Sequence, residues 1–146
     1  MPLTLQEFSS VAPFYKDRVG KINEIKNVKI TDVGLENKFP LIRTSCGSQP
    51  YSQNFLFEGV LNHDETSVKV NCSCPSFKFE FAHVLNKKKA LYNPGDVYKV
   101  SILKIPKEKN QKQVVMACKH VIAASRTILK QLDKIQHSIE KQQKKE

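Results

Sequence analysis

Tryptophan is absent, methionine occurs twice and glycine only five times in the 146 residues. With so little glycine there is no Gly-rich phosphate loop, and no paired carboxylates or nucleophile with an adjacent base stand out, so a catalytic reading has little support and a non-enzymatic protein is expected. No apolar run approaches bilayer length, and Met1-Pro-Leu-Thr-Leu lacks the basic start and apolar stretch of a signal peptide. The expectation is a soluble intracellular protein. No segment repeats at a fixed period, and the length suits a single domain.

Acidic residues are also scarce, 14 against 24 Lys and Arg, for a formal charge of +10. Residues 1–86 hold 9 basic and 9 acidic residues, whereas 87–146 hold 15 and 5, so the whole excess is C-terminal. Such a half suits either an acidic partner or a solvated, Lys-rich surface. What the chain does have is a hydrophobic share of 40% with 8 Phe and 4 Tyr, enough for a modest core.

Read in order, Thr4 with Glu7 three residues on forms a capping box for a short helix over 5–11, within an N-terminal arm of residues 1–20. Imperfect alternation through Ile22, Ile25, Val28, Ile30 and Val33, followed by 39–45, suggests a β-hairpin turning at Gly34-Leu-Glu-Asn. A strand over 51–61 and a second over 67–71 form another hairpin, with a turn at 62–66. Residues 76–85 fit both periods; the alternation of Phe77, Phe79, Phe81, His83 and Leu85 favours extended structure, while Phe77, Phe81, Val84 and Leu85 fit a helical face. Residues 97–105 read as a strand, 106–112 as a basic loop. The clearest helix runs over 119–140, where Val121, Ser125, Ile128, Leu132, Ile135 and Ile139 form a heptad stripe, read first as core and second as a partner-seeking face. Residues 141–146 form a polar tail. The expected class is α+β: antiparallel hairpins forming a small sheet with a zinc site, joined to a long C-terminal amphipathic helix, all within one domain spanning 21–140.

Cysteine is sparse and unevenly placed. Three of the four fall in two short runs, Cys72-Ser-Cys74-Pro75 and Cys118-Lys-His120. In extended chain, residues i and i+2 project to one side, so Cys72 and Cys74 at a strand end can share one ion, whereas Cys118 and His120 can do so only at a helix entrance. Cys3His is a common composition of a closed tetrahedral zinc site. Clustering and adjacency argue against disulfides. Cys46 reads as a small buried hydrophobe; it and His83 are the alternatives should one ligand point away. His63 and His137 are expected to face solvent.

C-x-C followed by C-x-H resembles the SWIM zinc-finger family over roughly residues 54–130, including the runs Cys-Pro-Ser-Phe at 74–77 and Cys-Lys-His-Val-Ile at 118–122. The 43 residues between Cys74 and Cys118 are a long insertion for that pattern. The resemblance implies Zn2+ held by Cys72, Cys74, Cys118 and His120. A narrower likeness, carried by 73–82 and 117–123, is to SWIM-like proteins of large tailed bacteriophages. It implies a virion structural or assembly protein, oligomeric and in contact with other virion proteins. The alternative is a nucleic-acid-binding module, with Lys87, Lys88, Lys89, Lys104, Lys107, Lys109 and Lys112 as a phosphate-facing strip on DNA or RNA.

Overall fold

The computed structural model describes residues 3–10, 28–46, 51–62, 64–74, 77, 82–94 and 118–144. The expected 97–105 strand, the 106–112 loop, His63, Lys104, Lys107, Lys109 and Lys112 lie outside them.

Among the described residues, four antiparallel strands form one sheet in chain order: β1 (Val28–Glu36), β2 (Phe39–Cys46), β3 (Ser52–Phe57) and β4 (Val68–Cys72). Helix α1 (Leu5–Ser10) precedes them; α2 (Ala82–Lys87), α3 (Lys119–Lys130) and α4 (Leu132–Lys144) follow. This is the α+β architecture expected.

Alternation decides which face is buried. In β2, Ile42, Thr44 and Cys46 point inward, as do Gln53, Phe55 and Phe57 in β3 and Val68 and Val70 in β4. The outer face carries a polar row: Arg43 donates to Asn54 at 3.0 Å, Asn54 to Asn71 at 2.9 Å, and Asn71 to the Tyr92 carbonyl at 3.0 Å. The imperfect alternation of β1 has a structural cause, a bulge between Ile30 and Asp32 that inserts Thr31. The extra residue keeps Ile30, paired with Thr44, and Val33, paired with Ile42, on the same face despite odd spacing.

Several boundaries differ from those expected. The first hairpin turns at Asn37-Lys38, both at positive φ (51° and 72°), not at Gly34-Leu-Glu-Asn; positive φ at both central positions is the mark of a type I′ turn, whose twist matches that of the strands. Gly34 lies within β1. Residues 82–87 are helical, not extended: Ala82 and Leu85, three apart, are both fully buried, a match to the helical period. Helix α2 ends in a Schellman motif, with Lys89 left-handed at φ 56°, its N–H on the Asn86 carbonyl at 3.1 Å and the Ala90 N–H on that of Leu85 at 2.8 Å.

The C-terminal helix expected over 119–140 is two helices ending at Lys144. At Gln131 the N–H bonds back to the Ile128 carbonyl at 3.1 Å, a tightened turn that ends α3. The apolar stripe continues across it, so periodicity alone did not show the break. Val121, Ser125, Ile128, Ile135 and Ile139 are buried and Leu132 partly so, which makes the stripe core of this chain.

At the N-terminus the capping box forms as expected, the Glu7 N–H donating to Thr4 Oγ1 at 3.3 Å and the Thr4 N–H to Glu7 Oε1 at 3.2 Å. Residues 3–10 are closely integrated: Leu5 and Phe8 are fully buried, α1 packs on α3, and Arg126 Nε donates to the Ser9 carbonyl at 3.3 Å. The outer edge of β4 is covered by two segments. Its Val68 N–H bonds the Leu3 carbonyl at 2.8 Å, and Val70 exchanges bonds with Ala90 and Tyr92, both at 2.9 Å. Covering a strand edge in this way removes a template for unwanted pairing. Among the described residues no helix is long and apolar enough to cross a membrane.

Candidate metal centre

The sheet and α3 meet at one end of the core. Strand β4 ends on Cys72, and the chain bends through Ser73, whose N–H bonds the Ser52 carbonyl at 3.0 Å, to bring Cys74 back to the same side. Across the core, Cys118 is the N-cap of α3, with extended backbone (φ −68°, ψ 163°) and no side-chain capping bond. His120 follows within the first turn. A helix N-terminus adds a favourable potential for thiolate.

These placements bring together the four residues singled out by spacing. The three sulfurs and an imidazole nitrogen all lie within 4.8 Å of one another, and all four residues are buried. Donors on a tetrahedral zinc, with Zn–S of about 2.3 Å, stand roughly 3.8 Å apart. The cluster therefore needs only a small contraction around an ion. The Tyr51 ring packs on His120 at 5.2 Å between centroids, tilted by 60°.

The thiols are electrostatically unequal. Cys74 is pulled well below the ordinary thiol range by hydrogen bonds from Cys118, then Cys72, helped by His120 and the Phe77 N–H at 3.4 Å and opposed by burial. Cys72 is lowered by its bond with Cys118, but the hydrogen bond to Cys74, burial and the charge of Cys74 outweigh that and push it up to about 12. Burial, followed by hydrogen bonds with Cys72 and Cys74 and by their charge, raises Cys118 far above its usual value. Three sulfurs this close cannot all be thiolate without a cation among them. That chemistry fits a thiophilic divalent metal, whose charge would remove the conflict.

The remaining candidates separate cleanly. Cys46 is buried at the end of β2, outside the four-residue cluster, and its Sγ donates to Gln53 Oε1 at 3.8 Å. His83 is half-buried on α2 and His137 is exposed on α4; neither joins the cluster. Lys87, Lys88 and Lys89 are exposed at the end of α2.

Sequence reading missed the residues around the sulfurs. Gln53 is fully buried and its Nε2 donates to Cys72 Sγ at 3.5 Å. Thr44, also fully buried, donates to Gln53 Oε1 at 2.8 Å. One signal was present: Gln53 occupies an inward position of the same alternation as Phe55 and Phe57, where a polar side chain needs a buried partner. Comparison with known proteins gives no match to this chain among family models, curated sequences or solved structures.

Proposed function

We propose that the chain is a non-catalytic zinc-binding structural protein, in which Cys72, Cys74, Cys118 and His120 hold Zn2+ and staple the sheet to α3. The observation that carries this reading is the convergence of four buried donors from two elements far apart in sequence. A complete Cys3His shell leaves zinc no open position for water or substrate, which supports a structural over a catalytic role. Because the site closes a long loop, metal-binding free energy becomes folding free energy. Stripping the metal with a strong chelator lowers the melting temperature sharply; unchanged melting with metal confirmed absent sinks this reading.

At a finer level, we read the protein as a SWIM-like assembly component of a tailed-bacteriophage virion, oligomeric and in contact with other virion proteins. Support comes from the C-x-C and C-x-H runs, from the strand-end and helix-entrance positions of the four donors, and from the resemblance of the residues around them to SWIM-like phage proteins. Mass in solution and fractionation with purified particles test it; a monomer never found with particles rejects it. A second reading is favoured by the exposed Lys87–Lys89 run and the net charge of +10. In that reading the basic C-terminal half contacts DNA or RNA phosphates. Affinity falling steeply with added salt supports it, and no binding at low salt removes it.

A further inference from the structure

Four cysteines are buried close together, yet only three of them join the cluster. The separation runs through one side chain. Thr44 on β2, Gln53 on β3 and Cys72 on β4 are direct cross-strand partners, so their side chains form a single row on the inner face of the sheet. Within that row Gln53 Oε1 receives two donors, the Thr44 hydroxyl at 2.8 Å and the Cys46 thiol at 3.8 Å. Its Nε2 is thereby directed at Cys72 Sγ, 3.5 Å away. The opposite orientation of the amide would set its oxygen against a Cys72 thiolate, a repulsion that no rotation of the Thr44 hydroxyl relieves. Gln53 is fully buried, so water offers no compensation.

We propose that Gln53 is a positioning residue of the metal centre: its amide N–H favours Cys72 as a thiolate ligand, while its carbonyl oxygen holds Cys46 as a thiol outside the shell. Thr44 donates to that carbonyl oxygen and helps hold the amide in place. The inference rests on the metal-centre reading above. Three thiolates and a neutral imidazole around a divalent ion leave a net charge near minus one, and a neutral donor on one sulfur spreads that charge without adding a competing ligand. Partners of this kind set ligand orientation and basicity in metal sites generally.

The test uses the purified full-length chain loaded with Co2+, followed by Zn2+ competition against a chelator of known affinity. Gln53→Met preserves volume and removes the donor. It still binds one Co2+ tetrahedrally, with Zn2+ affinity lowered about 10–100-fold, the range typical of outer-shell partners. Its sulfur-to-cobalt charge-transfer band moves to lower energy, because a thiolate without its hydrogen bond donates more readily. Thr44→Val moves both readouts in the same direction by less, and Gln53→Glu, which sets a carboxylate against the thiolate, weakens binding further than Gln53→Met. Wild-type affinity and an unshifted band in Gln53→Met overturn the proposal, even if its melting temperature falls. Should Gln53→Met not fold, Thr44→Val decides by the same two readouts. A wild-type chain that binds neither Co2+ nor Zn2+ removes the metal centre itself and this inference with it, an outcome distinct from a metal centre indifferent to Gln53.

Discussion

The phenol of Tyr92 donates to the Glu36 carboxylate at 3.0 Å, joining the segment that covers β4 to the far end of β1. Burial, then the hydrogen bond to Glu36 and its charge, raises the Tyr92 pKa above its ordinary value of 10.0. Folding therefore favours the protonated phenol. The associated stability is complete below pH 10 and is lost as pH rises through the folded-state value. Denaturant titrations of the metal-loaded protein are expected to show stability falling above pH 10, and less steeply in Tyr92→Phe. That variant also loses about 1.5–3 kcal/mol at neutral pH, the scale of a hydrogen bond to a charged group.

Two lysines occupy backbone positions that favour glycine. Lys38 has φ 72° in the β1–β2 turn, and Lys89 has φ 56° at the end of α2. Left-handed backbone costs an ordinary side chain about 1 kcal/mol. Lys38→Gly creates the Asn-Gly pair preferred in such turns and is expected to raise stability by roughly 0.5–1 kcal/mol after glycine's greater unfolded-state entropy is counted. Lys89→Gly has the same sign. Urea midpoints at constant slope measure both, and a fall in stability for either shows that its lysine makes compensating contacts.

The legible parts of the fold were those governed by short-range rules. Thr4 and Glu7 announce their capping box three residues apart, and the paired spacing of Cys72 with Cys74 and of Cys118 with His120 announces the cluster they form. Register defeats such reading. The bulge at Thr31 shifts the phase of β1, so Ile30 and Val33 look misaligned in sequence yet share a face. The tightened turn at Gln131 lies within an unbroken apolar stripe and leaves no periodic trace. Gln53 acquires its meaning only when cross-strand pairing sets it between Thr44 and Cys72, a relation spanning 28 residues of chain.

Phe8 tests how firmly the N-terminal helix belongs to the core. It is fully buried on a six-residue helix that could not hold its shape alone. Phe8→Ala is expected to cost about 3–5 kcal/mol, the range for a large aromatic removed from a packed interior. Thr4→Ala, which removes only the cap, costs about 1 kcal/mol. Equal, small effects from both would mean that residues 3–10 dock weakly and contribute little to the fold.

On the structural-zinc reading proposed above, metal binding and protonation are opposed at the Cys3His cluster. Without a cation, Cys72 is pushed up to about 12 and Cys118 lies far above its usual value, whereas Cys74 is already favoured as thiolate. Between pH 6 and 8 an entering Zn2+ must therefore expel two thiol protons, and affinity is expected to rise about 100-fold per pH unit. Calorimetry in buffers of different ionisation enthalpy counts those protons directly. The sign reverses for the metal-free protein. Folded-state values raised above the ordinary thiol value of 9.0 give stability that is complete below pH 9 and lost as pH rises through them. Acid should thus weaken the metal-loaded form while leaving these two contributions to the metal-free form intact. Release of no protons on binding would show that the sulfurs enter the shell already ionised, or that the metal sits elsewhere.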